Sequence, residues 1–279
     1  MNPAPTDATF SLTPAQIGRA TPLVFASPHS GALYPEDMGA APGLSEASLR
    51  SAEDAAVDRL LAASASAGAV LIAGRIGRAY VDLNRAPDEL DPALIDGALD
   101  APPPGLKTLA GYGVIPRLAG DGTRLYDRRL TLEEARGRIA RVHAPYHAAL
   151  DDLMQGARER HRRAVLVDWH SMPSRATGLN GPDVVLGDRH GTSCATQLTR
   201  RLRVLFEGLG WRVALNRPYA GGYATQAWGR PNEGFEAIQI ELNRRLYWDE
   251  TAGAPSVGWA RCQSGLNRVI AALGEDFLT

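Results

Sequence analysis

The stretch Ala164-Val-Leu-Val-Asp-Trp-His-Ser-Met-Pro173 is an apolar run that meets an acid and a histidine and is then stopped by proline. Two residues apart on a strand, Asp168 and His170 share one face, because side chains alternate. His170 is thereby a candidate to face a metal or a substrate, with Asp168 placed to orient its ring. The plainer alternative is a hydrogen-bonded histidine at a strand edge. A second apolar run opens into Ser27-Pro-His-Ser-Gly31 and offers His29, and the acidic pair Glu53-Asp54 stands near a helix start. Two imidazoles and one carboxylate suit a catalytic zinc, which keeps its fourth position open. Adjacent residues on a helix point about 100° apart, so only one of Glu53 and Asp54 can serve, and the spacing leaves the choice open.

The remaining histidines compete less well. His143 and His147 stand at i and i+4, but Pro145 between them disturbs the preceding turn, and the pair reads as packed or surface-facing. His161 lies in the charged run Arg158–Arg163, a solvated helix end, and His190 follows a strand as a turn residue or a substrate contact.

Anion-binding chemistry has its own candidates. Val81-Asp-Leu-Asn-Arg85 and Ile240-Glu-Leu-Asn-Arg-Arg245 both run from an apolar segment into an amide and arginine. Arginine grips a carboxylate with two parallel hydrogen bonds, and a neighbouring asparagine adds a third. Glu241 lies within an apolar strand, where a carboxylate is costly unless paired or employed. It is either a general base or an ion-pair partner of Arg244 or Arg245. The glycine-rich aromatic segment Asn216–Tyr223, followed by Thr225 and Gly229-Arg230-Pro231, suits a mobile lid or a plain turn.

These residues need elements to hold them. Short apolar runs at Pro22–Ala26, Ala69–Ala73, Arg78–Asn84, Ala164–Pro173, Val184–Gly187, Trp211–Leu215 and Phe235–Leu242 are predicted strands. Helical spacing is predicted over Leu44–Ala67, Thr131–Arg163, Ser193–Leu209 and Gly258–Leu278. Thr131-x-x-Glu134 is a capping box, and Pro145 kinks or divides the helix that follows it. Residues 88–122, with prolines at 102, 103 and 104, form a long connection of the kind used as an insertion or a substrate cover. The first twenty residues are expected to be an irregular segment. The alternation of strand and helix predicts an α/β fold in a single domain spanning 1–279, with a mixed, mostly parallel β-sheet flanked by helices. Chemistry in such sheets sits where strands end.

The 279 residues carry a formal net charge of −1 with both signs interspersed, which gives no nucleic-acid footprint. Cys194 and Cys262 are the two cysteines and lack any metal-binding spacing, so a reducing cytoplasm is expected. No basic start followed by an apolar block marks a signal peptide, and no apolar run reaches membrane-spanning length.

Six segments together resemble the N-formylglutamate amidohydrolase family, and they occur in that family's order: Ser27-Pro-His-Ser-Gly31, Val81-Asp-Leu-Asn-Arg85, Asp168-Trp-His-Ser171, Gly187-Asp-Arg-His-Gly191, Asn216-x-Pro-Tyr-x-Gly-Gly-Tyr223 and Gln239–Tyr247. That family is in turn similar to zinc carboxypeptidases and acylamino-acid deacylases. The resemblance implies a zinc-exopeptidase-like (phosphorylase/hydrolase-like) fold with one zinc ion, or another divalent metal, at the strand ends. It implies His29, Asp54 and His170 as ligands, with Glu53 in reserve, because Asp54 aligns better ahead of Val57-Asp-Arg-Leu60. It implies Glu241 as general base and acid, Asn84 and Arg85 as holders of a substrate carboxylate, Arg230 for a second carboxylate, and Asp168 behind His170.

The activity it implies is metal-dependent hydrolysis of N-formyl-L-glutamate to formate and L-glutamate, a step of histidine degradation. The alternatives are a related zinc deacylase or carboxypeptidase acting on another N-acyl amino acid or peptide, and a non-catalytic carboxylate-binding protein. The expected partner is a small anionic substrate derived from an amino acid, with no nucleic acid and no membrane, in a cytoplasmic monomer or homodimer.

Overall fold

The structure, a computed structural model, describes residues 8–98, 102–178 and 180–278. Its strands are β1 (Phe10–Thr13), β2 (Leu23–Ser27), β3 (Val70–Gly74), β4 (Ile95–Asp96), β5 (Leu130–Thr131), β6 (Ala164–Met172), β7 (Val184–Gly187), β8 (Val213–Leu215), β9 (Phe235–Asn243), β10 (Trp248–Asp249) and β11 (Ala254–Pro255). Its helices are α1 (Glu46–Arg50), α2 (Val57–Leu60), α3 (Leu106–Leu109), α4 (Leu132–Arg138), α5 (Ala144–His161), α6 (Thr196–Glu207), α7 (Tyr223–Trp228) and α8 (Trp259–Glu275). No helix among the described residues is long and apolar enough to cross a membrane.

Seven strands form one sheet in the order β1-β3-β2-β6-β9-β7-β8. β3, β2, β6 and β9 run parallel, β7 is antiparallel to β9, and β8 is parallel to β7. This is the mixed, mostly parallel sheet that the alternation of elements predicts. By its internal contacts the chain forms two compact units. One comprises Pro28–Glu53 and Gly74–Ala149 with the start of the chain, and the other Leu12–Ser27, Asp54–Ala73 and Leu150–Thr279.

The second unit holds the main core. Every residue of β6 and β9 is buried, the polar ones included, as expected of parallel strands covered on both faces. On one face Val165, Val167 and Trp169 of β6 join Ile238, Ile240 and Leu242 of β9 in a cluster with Val57 and Leu60 of α2, Leu202 and Phe206 of α6, and Leu266, Ile270 and Leu273 of α8. Burial of each such side chain contributes roughly 1.5–3 kcal/mol. Alternation sends Asp168, His170, Gln239 and Glu241 to the opposite face, in register as Asp168↔Gln239 and His170↔Glu241.

The first unit is built differently. β4 and β5 pair in parallel, and α4 starts with the expected capping box, Thr131 accepting from the Glu134 amide at 3.1 Å and Glu134 from the Thr131 amide at 2.7 Å. A wide π-helical turn over Ile139–His143 separates α4 from α5. Pro145 explains it, because proline offers no amide and its ring crowds the carbonyl four residues back. Buried Arg138 lies over the Tyr80 ring and donates to Tyr126 Oη and Met38 O, each at 2.7 Å.

Four expectations differ from the structure. Leu44–Ala67 is not one helix. It breaks into α1 and α2 around Ala56, whose φ of 55° lies in the left-handed region, a conformation costly for a residue with a Cβ. Arg78–Asn84 is not a strand but a series of turns, because the Asp82 carboxylate accepts from the Asn84 amide at 2.8 Å and the Tyr80 amide bonds back to Gly77. Such local side-chain bonds compete with a ladder. The described part of 1–20, residues 8–20, includes the strand β1, and the described part of 88–122 includes β4 and α3; residues 1–7 and 99–101 lie outside the described residues.

Candidate metal centre

His170 occupies the last third of β6, on the face away from the apolar cluster, and its ring stands between two buried carboxylates. Asp168 Oδ2 lies 2.9 Å from Nε2, and Asp54 Oδ2 lies 2.9 Å from Nδ1. Burial alone would lower the pKa of this imidazole, yet Asp168 and then Asp54 raise it well above the ordinary value. The surroundings therefore favour a positive charge at the ring.

Asp54 precedes α2, and its second oxygen is met by Ser171 Oγ at 3.3 Å and by an Nη of Arg244 at 3.5 Å, while Arg244 Nε also donates to Ser171 Oγ at 3.1 Å. Its neighbour Glu53 turns elsewhere, accepting from Tyr34 Oη at 2.8 Å and from Arg50 Nε at 3.1 Å. The left-handed Ala56 just beyond them takes the chain out of the helical path on which the choice between these two acids could not be made.

In the first unit His29 follows β2 by two residues and is buried. Its Nε2 lies 2.7 Å from Asp82 Oδ1, so Nδ1 is the ring nitrogen positioned to meet a ligand. Asp82 also accepts from Arg78 Nε at 2.8 Å and stands 4.0 Å from Arg85 Nε. Burial would raise its pKa, but Arg78, His29 and Arg85 together hold it well below the carboxylate range. Asp82 was not singled out from sequence, although the signal was there: it follows an apolar pair as Asp168 does.

One donor atom each from His29, Asp54 and His170 forms a group in which all lie within 4.8 Å of one another, and all three residues are buried. The chemistry of the set fits a divalent ion. Metal ligands must be unprotonated, and the positive charge that Asp168 and Asp54 favour at His170 is one a cation would supply in place of the Nδ1 proton, while Asp82 and Asp168 keep a proton on the other nitrogen of each ring.

Glu241, on β9 beside His170, accepts from Gln239 Nε2 at 2.7 Å. The Gln239 amide is fixed in that sense because its oxygen accepts from the Gly222 amide at 2.8 Å. The glycine-rich segment ending at Gly222 approaches closely: a Cβ on Gly187 would lie 2.7 Å from the Ala220 carbonyl carbon. The two arginines considered as partners of Glu241 have acids of their own, Arg244 with Asp54 and Arg245 with Asp183 at 2.7 Å.

Arg85 is largely buried and donates through Nη1 to Glu89 at 3.3 Å, with Asn84 beside it in the same turn. Arg230 is not brought to this end of the sheet. It bridges Phe235 at the start of β9, six residues or about 20 Å of strand from Glu241, and stacks on Trp228 and Phe235 while pairing with Glu233. His190 lies in a left-handed turn after β7, and His161 ends α5. Of the two readings of His143 and His147, packed or surface-facing, the structure has them packed within the first unit.

A mostly parallel sheet that carries a buried histidine between two carboxylates in the last third of a central strand has the architecture of an α/β enzyme. Comparison with known proteins agrees and is more specific. A family model described as N-formylglutamate amidohydrolase matches residues 21–248. Two N-formylglutamate deformylases, from Pseudomonas aeruginosa and Pseudomonas putida, are each 31% identical, over 83% and 82% of this chain and 84% and 83% of theirs. The crystal structure of an N-formylglutamate amidohydrolase from Ralstonia eutropha JMP134 superposes with a TM-score of 0.91 at 38% identity, covering 97% of this chain and 98% of that one. The chain belongs to the N-formylglutamate amidohydrolase family.

Proposed function

We propose that this protein hydrolyses the formyl amide of N-formyl-L-glutamate to formate and L-glutamate, with one zinc ion held by His29, Asp54 and His170. The observation that carries the reading is the buried donor group within 4.8 Å, in a chain of this family. A zinc ion held there would supply the positive charge that polarises the formyl carbonyl. Asp168 and Asp82 orient the two imidazoles through their far nitrogens.

Glu241 acts as the proton carrier. It takes a proton from the water that attacks the formyl carbon and returns one to the amino nitrogen as the C–N bond breaks. Gln239 aims the Glu241 carboxylate by its hydrogen bond. Arg85, with Asn84, anchors a carboxylate of the substrate through the arginine fork. Arg230 has no part in this scheme.

The reaction belongs to histidine degradation, and its substrate is a small anionic amino-acid derivative. The near-neutral, interspersed charge supports a protein that binds neither nucleic acid nor membrane. Two buried free cysteines support a cytoplasmic setting. A family match that runs through segments of both compact units supports reading the chain as one functional domain. Sedimentation distinguishes the monomer from the homodimer.

Formate release from N-formyl-L-glutamate, measured with and without a chelator and beside the acetyl and succinyl analogues, tests the reading. Release from the formyl compound alone, lost with chelator and restored by zinc, supports it. Preference for another acyl group, or release that survives complete removal of metal, overturns it.

A further inference from the structure

His143 and His147 take no part in the donor group, yet both are committed to the backbone of the turn that carries Asn84 and Arg85. His143 Nε2 lies 2.9 Å from the Arg85 carbonyl oxygen and His147 Nε2 lies 2.8 Å from that of Leu83. A carbonyl only accepts, so both rings donate from Nε2. The rings stand one helical turn apart with centroids 4.3 Å from each other. The π-helical turn ends at His143, and α5, which follows it, holds His147.

What the two rings hold is specific. The peptide units Leu83–Asn84 and Arg85–Ala86 bracket the Asn84-Arg85 dipeptide, and each is fixed at both of its polar ends. In the first, His147 takes the carbonyl and Asp82 the Asn84 amide at 2.8 Å. In the second, His143 takes the carbonyl and Glu89 the Ala86 amide at 2.9 Å. Glu89 also receives Arg85 Nη1 at 3.3 Å. A turn without regular ladder bonds is thereby held by four side chains, and the arginine it carries is presented in one orientation. Preorganised donors spend less ordering entropy on binding.

We propose that His143 and His147 are positioning residues for substrate-carboxylate recognition: together they brace the Asn84-Arg85 turn and so set the affinity for the anionic substrate, without touching the reacting atoms. The inference rests on Arg85 being the carboxylate anchor, so the test carries Arg85→Lys as a separate arm.

The experiment uses zinc-loaded full-length protein and steady-state kinetics with N-formyl-L-glutamate, and with its two mono-amides, N-formylglutamine and N-formylisoglutamine. His143→Leu and His147→Leu are each expected to raise KM for N-formyl-L-glutamate about 5-fold, the scale of one lost hydrogen bond, with kcat within about 2-fold. His143→Gln and His147→Gln, whose amide nitrogen can reach the same carbonyl, are expected to restore most of the loss. The brace effect is expected to vanish for the mono-amide whose KM Arg85→Lys leaves unchanged, since that compound lacks the carboxylate Arg85 holds. Circular dichroism checks folding, and His147→Asn, polar but too short, replaces His147→Leu if the latter does not fold. If Arg85→Lys raises KM while the histidine variants do not, or if the histidine variants lower kcat at constant KM, the brace is overturned. If Arg85→Lys leaves every KM unchanged, the anchoring role of Arg85 falls, and the inference with it.

Discussion

Asp82 Oδ1 lies 2.7 Å from Nε2 of His29, deep in a unit where both side chains are buried. The same relation recurs on β6 between Asp168 and His170 at 2.9 Å. Each histidine of the candidate metal centre therefore has its own carboxylate on the nitrogen that faces away from the ligand position. Zinc affinity is expected to fall roughly 10–100-fold in Asp82→Asn and in Asp168→Asn, read by competition with a chromophoric chelator. Wild-type affinity in both variants would remove the orienting role from these carboxylates.

Glu241 carries the proton in the proposed reaction but is not one of the three donors. Glu241→Gln keeps the shape and the neighbouring Gln239, and is expected to bind zinc as the parent does while kcat drops roughly 100- to 10,000-fold. Metal content and formate release measured on one preparation separate the two properties. Turnover within a few-fold of the parent would exclude Glu241 as the base.

Stability should respond to pH through His143. Burial holds its pKa below the ordinary histidine value, opposed by the hydrogen bond to the Arg85 carbonyl and then by the charge of Asp82. The unfolded chain then takes up a proton at a pH where the folded one does not, so stability falls as pH drops through about 6.5 and levels off below the folded pKa. The fall in Tm between pH 8 and 5 is expected to be smaller in His143→Gln than in the parent. Parallel curves would show that His143 does not titrate on unfolding.

Cys194 and Cys262 are buried, and burial pushes each thiol up to about 12. Only about one molecule in ten thousand would carry a given thiolate at pH 8, and the thiolate is the reactive form. Ellman's reagent at pH 8 is expected to label neither cysteine in the folded protein and both in denaturant. Rapid labelling of the native protein would contradict the burial.

Some of this arrangement is legible from the order of residues alone. Strand periodicity puts Asp168 with His170 and Gln239 with Glu241, and an apolar run broken by an acid marks a strand end; the α/β sheet and the capping box at Thr131 follow from the same local rules. Periodicity failed where side chains bond to nearby backbone. Val81-Asp-Leu-Asn84 has the composition of a strand, but Asp82 spends its carboxylate on the Asn84 amide, His29 and Arg78. Leu44–Ala67 has helical spacing, but the chain turns at Ala56.

Tertiary structure decided what required distance and direction between remote residues. Glu53 and Asp54 are equivalent by type and spacing, and they diverge because Tyr34 and Arg50 receive one carboxylate while His170 and Ser171 receive the other. Arg230 and Arg85 are alike by type as holders of a carboxylate, and only the bridge to Phe235 shows that Arg230 stands at the start of β9, away from Glu241 near its end. His143 and His147 stand at helical spacing in the sequence, and the structure shows that their Nε2 atoms meet the carbonyls of Arg85 and Leu83, some sixty residues away. Local sequence sets which face a side chain takes. The partner it meets there is set by long-range packing, which no spacing rule encodes.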